Sequence, residues 1–512
     1  MYGKVIGISV VGVRGFPVVV EAHIGRGLPS LTLTGLPGAP VQDARDRIRP
    51  AVESAGLDWP LRRIVVNLSP GNLRKEGPGF DLPVAMGVMA ASAQAPATRL
   101  AGYAFAGELS LRGTLVATPG ILSVALAAAR AGLTGVVVPE ANAAEAALVG
   151  GLEVIGAPSL AEVVRFFRGT WRPPAVEAAD RRAREVRHSV DLAEVRGQAQ
   201  ARRALEVAAA GGHNVLLVGP PGAGKTMLAR RLATVLPALS RGEALEATQL
   251  HSVAGLLDGD GLMIERPFRS PHHSVSLAGL LGGGSAFLRP GEVSLAHHGV
   301  LFLDELTEFR RDAIEGLRQP LEDGRVVVTR MAGSVEFPAR FTLVAAANPC
   351  PCGYFGDPIR RCDCQDHRVQ AYRQKLSGPL LDRIDIQLVV PRLSKQELLD
   401  EDPGEASSAI RQRVEEARTR QRARYAAIGF PCNGQIPGPV ARRATRVTPA
   451  GRDLLAQAVD RMGLTGRGFD RALKVARTVA DLAGVDEVGA DHVAEALSYR
   501  MNVTEGDLAR AG

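Results

Sequence analysis

The sequence predicts an α/β protein built in three parts, and three observations carry that expectation. The apolar run Asn214-Val215-Leu216-Leu217-Val218 leads into Gly219-Pro220-Pro221-Gly222-Ala223-Gly224-Lys225-Thr226, and a helical stretch from Met227 to Leu236 follows. Strand, glycine-rich loop and helix in that order form one unit of a parallel sheet. Upstream, β-rich runs alternate with Ala-rich helical stretches, and from Ser394 onward the pattern turns helical and polar. A chain of 512 residues has room for about three domains.

The parts follow from their residues. Val18-Val19-Val20, Ser30-Leu31-Thr32-Leu33 and Ile64-Val65-Val66-Asn67-Leu68 predict strands. Leu82 to Ala93 predicts a buried helix, with Pro83 tolerated in its first turn. Val124 to Ala131 predicts a second helix and Gly135-Val136-Val137-Val138-Pro139 a strand. Trp171-Arg172-Pro173-Pro174 and the charged stretch Asp180 to His188 interrupt this pattern. The expected parts are therefore residues 1–168, a linker at 169–190, a second α/β block at 191–393 and a helical region at 394–512, the last broken by Glu401-Asp402-Pro403-Gly404. No tandem repeat at a solenoid period is present.

Composition excludes several classes. A hydrophobic fraction of 46% excludes wholesale disorder. Five Cys exclude a disulfide-stapled secreted scaffold. No run approaches the ~18 apolar residues of a membrane helix. The apolar stretch Ile6 to Val13 follows Lys4, but Arg14 interrupts it and no small-residue cleavage site follows. A cytoplasmic protein without membrane contact is expected. The net charge is 61 − 54 = +7, which invites a polyanionic partner. Only six of the 61 basic residues are Lys, however, and such an Arg bias also follows from genomic base composition.

Gly219 to Thr226 matches G-x-x-x-x-G-K-[ST] in full. Its glycines let backbone N–H groups converge on phosphate oxygens, and the helix N-terminus adds positive potential. Lys225 is expected on the β and γ phosphates of ATP, and the Thr226 hydroxyl on Mg²⁺. Val300-Leu301-Phe302-Leu303-Asp304-Glu305 reads as a buried strand delivering two carboxylates to its C-terminal end. Asp304 would serve the Mg²⁺ shell, and Glu305 would act as general base on water. Phe341 to Ala347 is another buried strand, and the amide of Asn348 at its end would orient that water. In Gly378-Pro379-Leu380-Leu381-Asp382-Arg383-Ile384-Asp385 an Arg precedes a strand. Arg383 supplied from a neighbouring subunit would stabilise phosphoryl charge; the alternative is a local ion pair with Asp382 or Asp385.

Cys350-Pro351-Cys352 and Cys362-Asp363-Cys364 form two C-x-C pairs. Four thiolates suit tetrahedral Zn²⁺, with His367 as a substitute ligand and reduced structural thiols as the plain alternative. Cys432 is isolated. For DNA, one candidate surface is the insertion from about Glu265 to Ala296, with Arg266, Arg269, His272, His273 and Arg289. A second is the hairpin expected from Asp323 to Phe337, closing near Met331-Ala332-Gly333, whose Arg325 and Arg330 would grip phosphates without reading sequence. His272-His273 is expected to pack or to meet phosphate. The six Arg between Arg411 and Arg424, beside Glu415-Glu416, suggest a surface helix with internal ion pairs.

These residues together resemble the AAA+ ATPases, in the branch that includes magnesium chelatase motor subunits. Arg266-Pro267-Phe268-Arg269-Ser270-Pro271-His272-His273-Ser274, Gly282-Gly283-Gly284 and Arg289-Pro290-Gly291-Glu292-Val293-Ser294-Leu295-Ala296-His297 resemble the magnesium chelatase-like YifB/ComM family specifically. Arg74-Lys75-Glu76-Gly77-Pro78-Gly79, Ala106 to Gly113 and Val138-Pro139-Glu140-Ala141-Asn142 resemble the proteolytic domain of Lon. The resemblance implies a Lon protease-like (ribosomal S5 domain 2-like) N-terminal domain, an AAA+ P-loop core and a C-terminal helical lid. It places Asn348 at the sensor-1 position, Arg383 at the arginine finger and Arg467 at sensor 2, with Arg471 one helical turn away as the reserve. It puts Gly79 at the Lon nucleophile position and Leu122 at the Lon Lys position, so no peptidase chemistry is expected. It implies a homo-hexameric ring, with single-stranded or branched DNA as partner and helicase action in branch migration during natural transformation. The rival is a chelatase-like motor that remodels a protein, against which the Lon-like domain counts, because chelatase motors lack it.

Overall fold

A computed structural model describes residues 1–75, 78–176, 190–257, 261–284, 288–330, 333–376, 378–399 and 404–500. The charged stretch Asp180 to His188, Glu76-Gly77, the hairpin tip Met331-Ala332 and Glu401-Asp402-Pro403 lie outside those residues.

The N-terminal region is a mixed seven-stranded sheet. Its order is Ser30–Thr34, Arg63–Ser69, Arg14–Gly25, Tyr2–Val11, Tyr103–Phe105, Gly135–Pro139, Glu153–Ala157. The long hairpin Tyr2–Val11 with Arg14–Gly25 is antiparallel, and the pairings from Tyr2–Val11 through Glu153–Ala157 are parallel. Period-two burial along Arg14–Gly25 puts Val18, Val20, Ala22 and Ile24 in the core. The expected central helix runs Asp81–Ala91 and is buried on every side, as its continuous apolar sequence requires. Its first residue is pinned: Arg47 donates to both Asp81 oxygens at 3.0 Å, and the Leu109 N–H donates to Asp81 Oδ2 at 3.1 Å.

The second region is a parallel five-stranded sheet in the order Phe268–Arg269, Val300–Leu303, Thr342–Ala347, Val215–Val218, Ile386–Val389. The three central strands are buried at every residue, as a sheet covered on both faces demands. Because all five strands run the same way, their C-terminal ends form one edge of the sheet and their N-terminal ends the other.

The helical region beyond packs back on this sheet through helices Ser407–Arg424, Gly438–Ala444, Pro449–Met462, Gly466–Leu482 and Ala490–Ser498. The arginines of Ser407–Arg424 do not pair along their own helix as the sequence suggests. Arg411 donates to Thr234 O and Arg418 to Ala209 O, Arg413 pairs with Glu206 and Glu405, and Arg424 pairs with Asp481. The first three fasten this helix to the second region and Arg424 ties it to helix Gly466–Leu482, which the local charge pattern could not reveal.

The two α/β regions are joined through helices Ile121–Arg130 and Arg241–Ala254. The Gly120 N–H donates to Ser252 O at 3.1 Å, and Gln249 Nε2 donates to Ser123 Oγ at 3.0 Å. Glu145 is buried and accepts from the Leu122 N–H at 2.7 Å and the Ser252 hydroxyl at 2.5 Å. Burial raises its pKa against those hydrogen bonds. Between the regions lies a mostly apolar cavity of 310 Å³.

One buried carboxylate ties the sheet to the helices. Asp385 Oδ1 accepts from Arg471 at 2.6 Å, and its Oδ2 accepts from the Asn214 N–H at 3.0 Å and lies 3.6 Å from His213 Nδ1. Burial opposes its ionisation, yet Arg471, His213 and Lys474 outweigh that and hold its carboxyl below the usual carboxylate range. Asp385→Asn is expected to cost about 3–5 kcal/mol at neutral pH, read from the denaturant midpoint. A depressed folded-state pKa stabilises above the unfolded value of ~3.9, so the gap between wild type and variant should close as pH falls through the folded value.

Candidate functional site

The glycine-rich loop caps the helix Lys225–Val235 at the C-terminal edge of the parallel sheet. Gly222 (φ +78°) and Gly224 (φ +87°) sit in the left-handed region that only glycine enters freely. Gly219 is constrained differently: a Cβ there would meet Val390 O at 2.2 Å. Lys225 is buried, and its ammonium donates to Gly219 O at 2.7 Å, Pro220 O at 3.0 Å and Asn348 Oδ1 at 3.1 Å. Burial pushes its pKa down, while Asp304 and Glu305 pull the other way. Thr226 Oγ1 donates to Asp304 Oδ2 at 2.7 Å. A hydroxyl and a carboxylate so placed are the hard oxygen donors that Mg²⁺ takes. Gly219 to Thr226, Asp304, Glu305 and Asn348 thus converge on one edge of one sheet.

Glu305 has φ +52°, uncommon for a residue with a side chain, and its N–H donates to Asp304 Oδ1 at 3.0 Å. The turn aims the two carboxylates differently: Asp304 faces Thr226, while Glu305 is 57% exposed. His273 Nδ1 lies 3.6 Å from Glu305 Oε2, and the His273 ring sits edge-on to Phe309. The sequence offered His273 only as a packing or phosphate residue. The strand pairing Phe268–Arg269 with Val300–Leu303, which brings the two acids and the histidine together, has no signature in sequence spacing.

The expected arginines lie at the opposite edge. Arg383 precedes Ile386–Val389, so it is separated from Lys225 by the length of a strand, about 13 Å for four residues. It is buried and pairs with Glu322, rather than with Asp382 or Asp385 as the local alternative had it. Arg471 donates to Arg383 O and Asp385. Arg467, one turn earlier on the same helix, is exposed. A cleft of 610 Å³ at this edge is lined by Glu322, Arg340, Arg383, Asp385, Arg471 and Lys474.

The insertion arginines correct an expectation. Arg266 is largely buried and donates to Pro237 O and His298 O, both at 2.6 Å. Arg269 makes a two-pronged pair with Glu292 at 2.7 and 2.8 Å. Both hold the insertion onto the sheet and are spent there rather than offered to DNA. Arg289 remains exposed. The expected hairpin is Arg325–Arg330 with Gly333–Pro338, and Arg325 pairs with Glu336 on its exposed face.

Cys350, Cys352, Cys362 and Cys364 come together, with ligand atoms all within 4.8 Å of one another, and His367 is not among them. Against the raising effect of burial, the Tyr354 N–H and the Cys350 thiol bring Cys352 down to about 6, while burial pushes Cys362 up to about 12. Cys432 is buried apart from them. At the Lon-like positions, Leu122 is fully buried, and a Cβ at Gly79 would lie 3.7 Å from Thr118 Cγ2 on the wall of the interdomain cavity. Ser123 donates to Val13 O at 3.0 Å. Lys75 is buried and donates to Gly35 O and Pro70 O.

Comparison with known proteins accounts for this arrangement. Residues 191–398 match the magnesium chelatase subunit ChlI family, residues 20–142 match subunit ChlI of Mg-chelatase, and residues 404–500 match the ChlI C-terminal family. The chain is 47% identical over 501 residues to the uncharacterized protein Rv2897c of Mycobacterium tuberculosis, covering 98% of each. It is 42% identical over 497 residues to the uncharacterized protein YifB of Escherichia coli and 41% over 496 to competence protein ComM of Haemophilus influenzae, covering 96% of each chain in both. A shorter match, 27% identical over 184 residues, links 34% of this chain to 22% of the Lon protease of Geobacter metallireducens. With the glycine-rich loop, the paired acids and the Asn348 amide on one sheet edge, and relatives that span nearly its whole length, the chain belongs to the YifB/ComM group of the magnesium chelatase-like AAA+ family.

Proposed function

We propose that the chain is an ATP-driven DNA translocase that works as a homo-hexameric ring and promotes branch migration of recombining DNA. The observation that carries the ring is the division of the site across the sheet. Lys225, Thr226, Asp304, Glu305 and Asn348 stand at one edge, and Arg383 and Arg471 belong to the other. Arginines there serve a nucleotide only by reaching a neighbour's, and a head-to-tail contact of that kind makes a ring where the rotation between neighbours closes.

In this reading the backbone N–H groups of Gly222 to Thr226 hold the phosphates of ATP. Lys225 exchanges its carbonyl acceptors for phosphate oxygens, and Asn348, already bonded to it, senses the change. Thr226 and Asp304 would hold Mg²⁺, which offsets phosphate charge when bound. Glu305 takes the proton of the attacking water, and His273 fixes the carboxylate for that task. Arg383 leaves Glu322 for the neighbour's phosphates.

DNA as the partner is supported by the competence protein among the relatives and by the net charge of +7. It is also supported by the exposed Arg289 and Arg325, the latter on the hairpin Arg325–Arg330 with Gly333–Pro338. The second reading, a motor that remodels a protein client, is favoured by the chelatase subunit match over residues 191–398. The N-terminal region is read as Lon-like without peptidase chemistry, because Gly79 has no side chain and Leu122 no basic atom.

Four outcomes are expected. Glu305→Gln should retain ATP binding and lose about 10²–10⁴-fold in turnover, whereas Lys225→Ala should lose binding itself. His273→Ala should lower turnover by roughly tenfold or less while leaving ATP affinity unchanged, as a positioning role requires. Mixing inactive Glu305→Gln with inactive Arg383→Ala should restore part of the ATPase, since mixed rings pair an intact loop with an intact arginine. Single-stranded and forked DNA should stimulate turnover. ATP hydrolysis indifferent to DNA even at low salt, where phosphate contacts are strongest, would turn the reading toward a protein client.

A further inference from the structure

The cysteine cluster is placed where it bears directly on the nucleotide loop. The Sγ atoms of Cys350, Cys352 and Cys362 are separated by 3.4, 3.5 and 3.7 Å. A disulfide needs about 2.05 Å, so these are separate thiols. Four sulfurs around one ion at about 2.3 Å stand about 3.8 Å apart along the edges of a tetrahedron. The observed separations, and the 4.8 Å limit that includes Cys364, fit a single ion. They leave no room for a multi-iron core.

The surroundings are those of bound thiolates. The Phe355 N–H points at Cys350 Sγ at 3.3 Å, and the Cys364 N–H at Cys362 Sγ at 3.4 Å. Such donors stabilise sulfur charge and fix ligand orientation. Arg373 lies over the Phe355 ring at 4.7 Å, and its Nη2 is buried with no hydrogen-bond partner among the described residues. Its Nε donates to Pro349 O at 3.4 Å, and its charge interacts with Cys350, so a guanidinium with a donor to spare suits a centre that carries net negative charge.

The turn that presents Cys352 is also the turn that touches the phosphate loop. Gly353 has φ +86°, and its N–H donates to Cys350 O at 3.0 Å. A Cβ on Gly353 would lie 2.6 Å from Pro221 Cδ and 3.9 Å from Asn348 Cγ. The turn therefore presses on the nucleotide loop and lies beside the amide that bonds Lys225.

We propose that Cys350, Cys352, Cys362 and Cys364 bind one Zn²⁺ and that this closed site clamps Pro221 and Asn348 in the geometry that receives ATP. The clamp rests on the ATPase reading; the metal site does not. Binding four thiols as thiolates releases their protons, so the ion is held less tightly as pH falls. Without the ion the turn at Gly353 loses its anchor, and the loop it supports loosens.

The test begins with the full chain, purified without chelator, and elemental analysis of its metal. About one zinc per chain is expected, falling more than about tenfold in Cys362→Ser/Cys364→Ser. Cobalt exchanged into the wild type should give the visible absorption of a tetrahedral thiolate site. If the double variant does not fold, thiol titration of the wild type decides: the four clustered thiols should resist alkylation until zinc is stripped. No stoichiometric metal, iron in place of zinc, or zinc retained by the double variant would each overturn the site. Gly353→Ala should keep its zinc and bind ATP at least about threefold more weakly, while Lys225→Ala should keep its zinc and bind no ATP. Zinc that can be removed with no change in ATP affinity would leave the metal and dismiss the clamp. A chain that holds zinc yet never binds ATP would instead sink the ATPase reading.

Discussion

The Asp385 carboxylate is the constraint on which the architecture turns. It receives the backbone of Asn214, where the phosphate-loop strand begins, and the guanidinium of Arg471 from the helical region. Asn214 extends the reach in turn, donating to Arg383 O and accepting from the Leu343 N–H. Three strands, the arginine segment and a helix of the last region are thereby held in fixed register by two adjoining polar residues. Burying a charge is costly unless it is paired and hydrogen-bonded, and here each oxygen has a partner. A change in the angle of the helical region therefore cannot leave Arg383 undisturbed, because Arg471 grips both the hub and the Arg383 carbonyl.

Much of the catalytic edge was legible because its parts are contiguous. A strand, a glycine loop and a helix specify each other within some twenty residues, and Asp304-Glu305 and Asn348 each close an apolar strand run. What could not be read was juxtaposition between segments. His273 meets Glu305 through a two-residue strand whose pairing leaves no periodicity to detect. Arg383 finds Glu322, sixty-one positions away.

Charge was the least reliable guide. Arg266 and Arg269 stand in an insertion rich in glycine and histidine, and their charge suggested a nucleic-acid surface. The fold uses both for anchoring: one donates to carbonyls, the other to Glu292. The same holds for Arg411, Arg413, Arg418 and Arg424, which bind across to other elements. A guanidinium carries five donors on a long apolar stem, so it serves equally well as a buttress and as a phosphate hook. Sequence records the group but not which way it is spent.

The cavity between the two α/β regions is walled from both of them: Gly79 lines it together with Val253, Leu288 and Val335 from the parallel-sheet region. The seam here is fastened at Ser123 and Glu145, the first beside and the second bonded to the backbone of Leu122. The helices Ile121–Arg130 and Arg241–Ala254 thus form one bonded seam, so a displacement of either is passed directly to the other region.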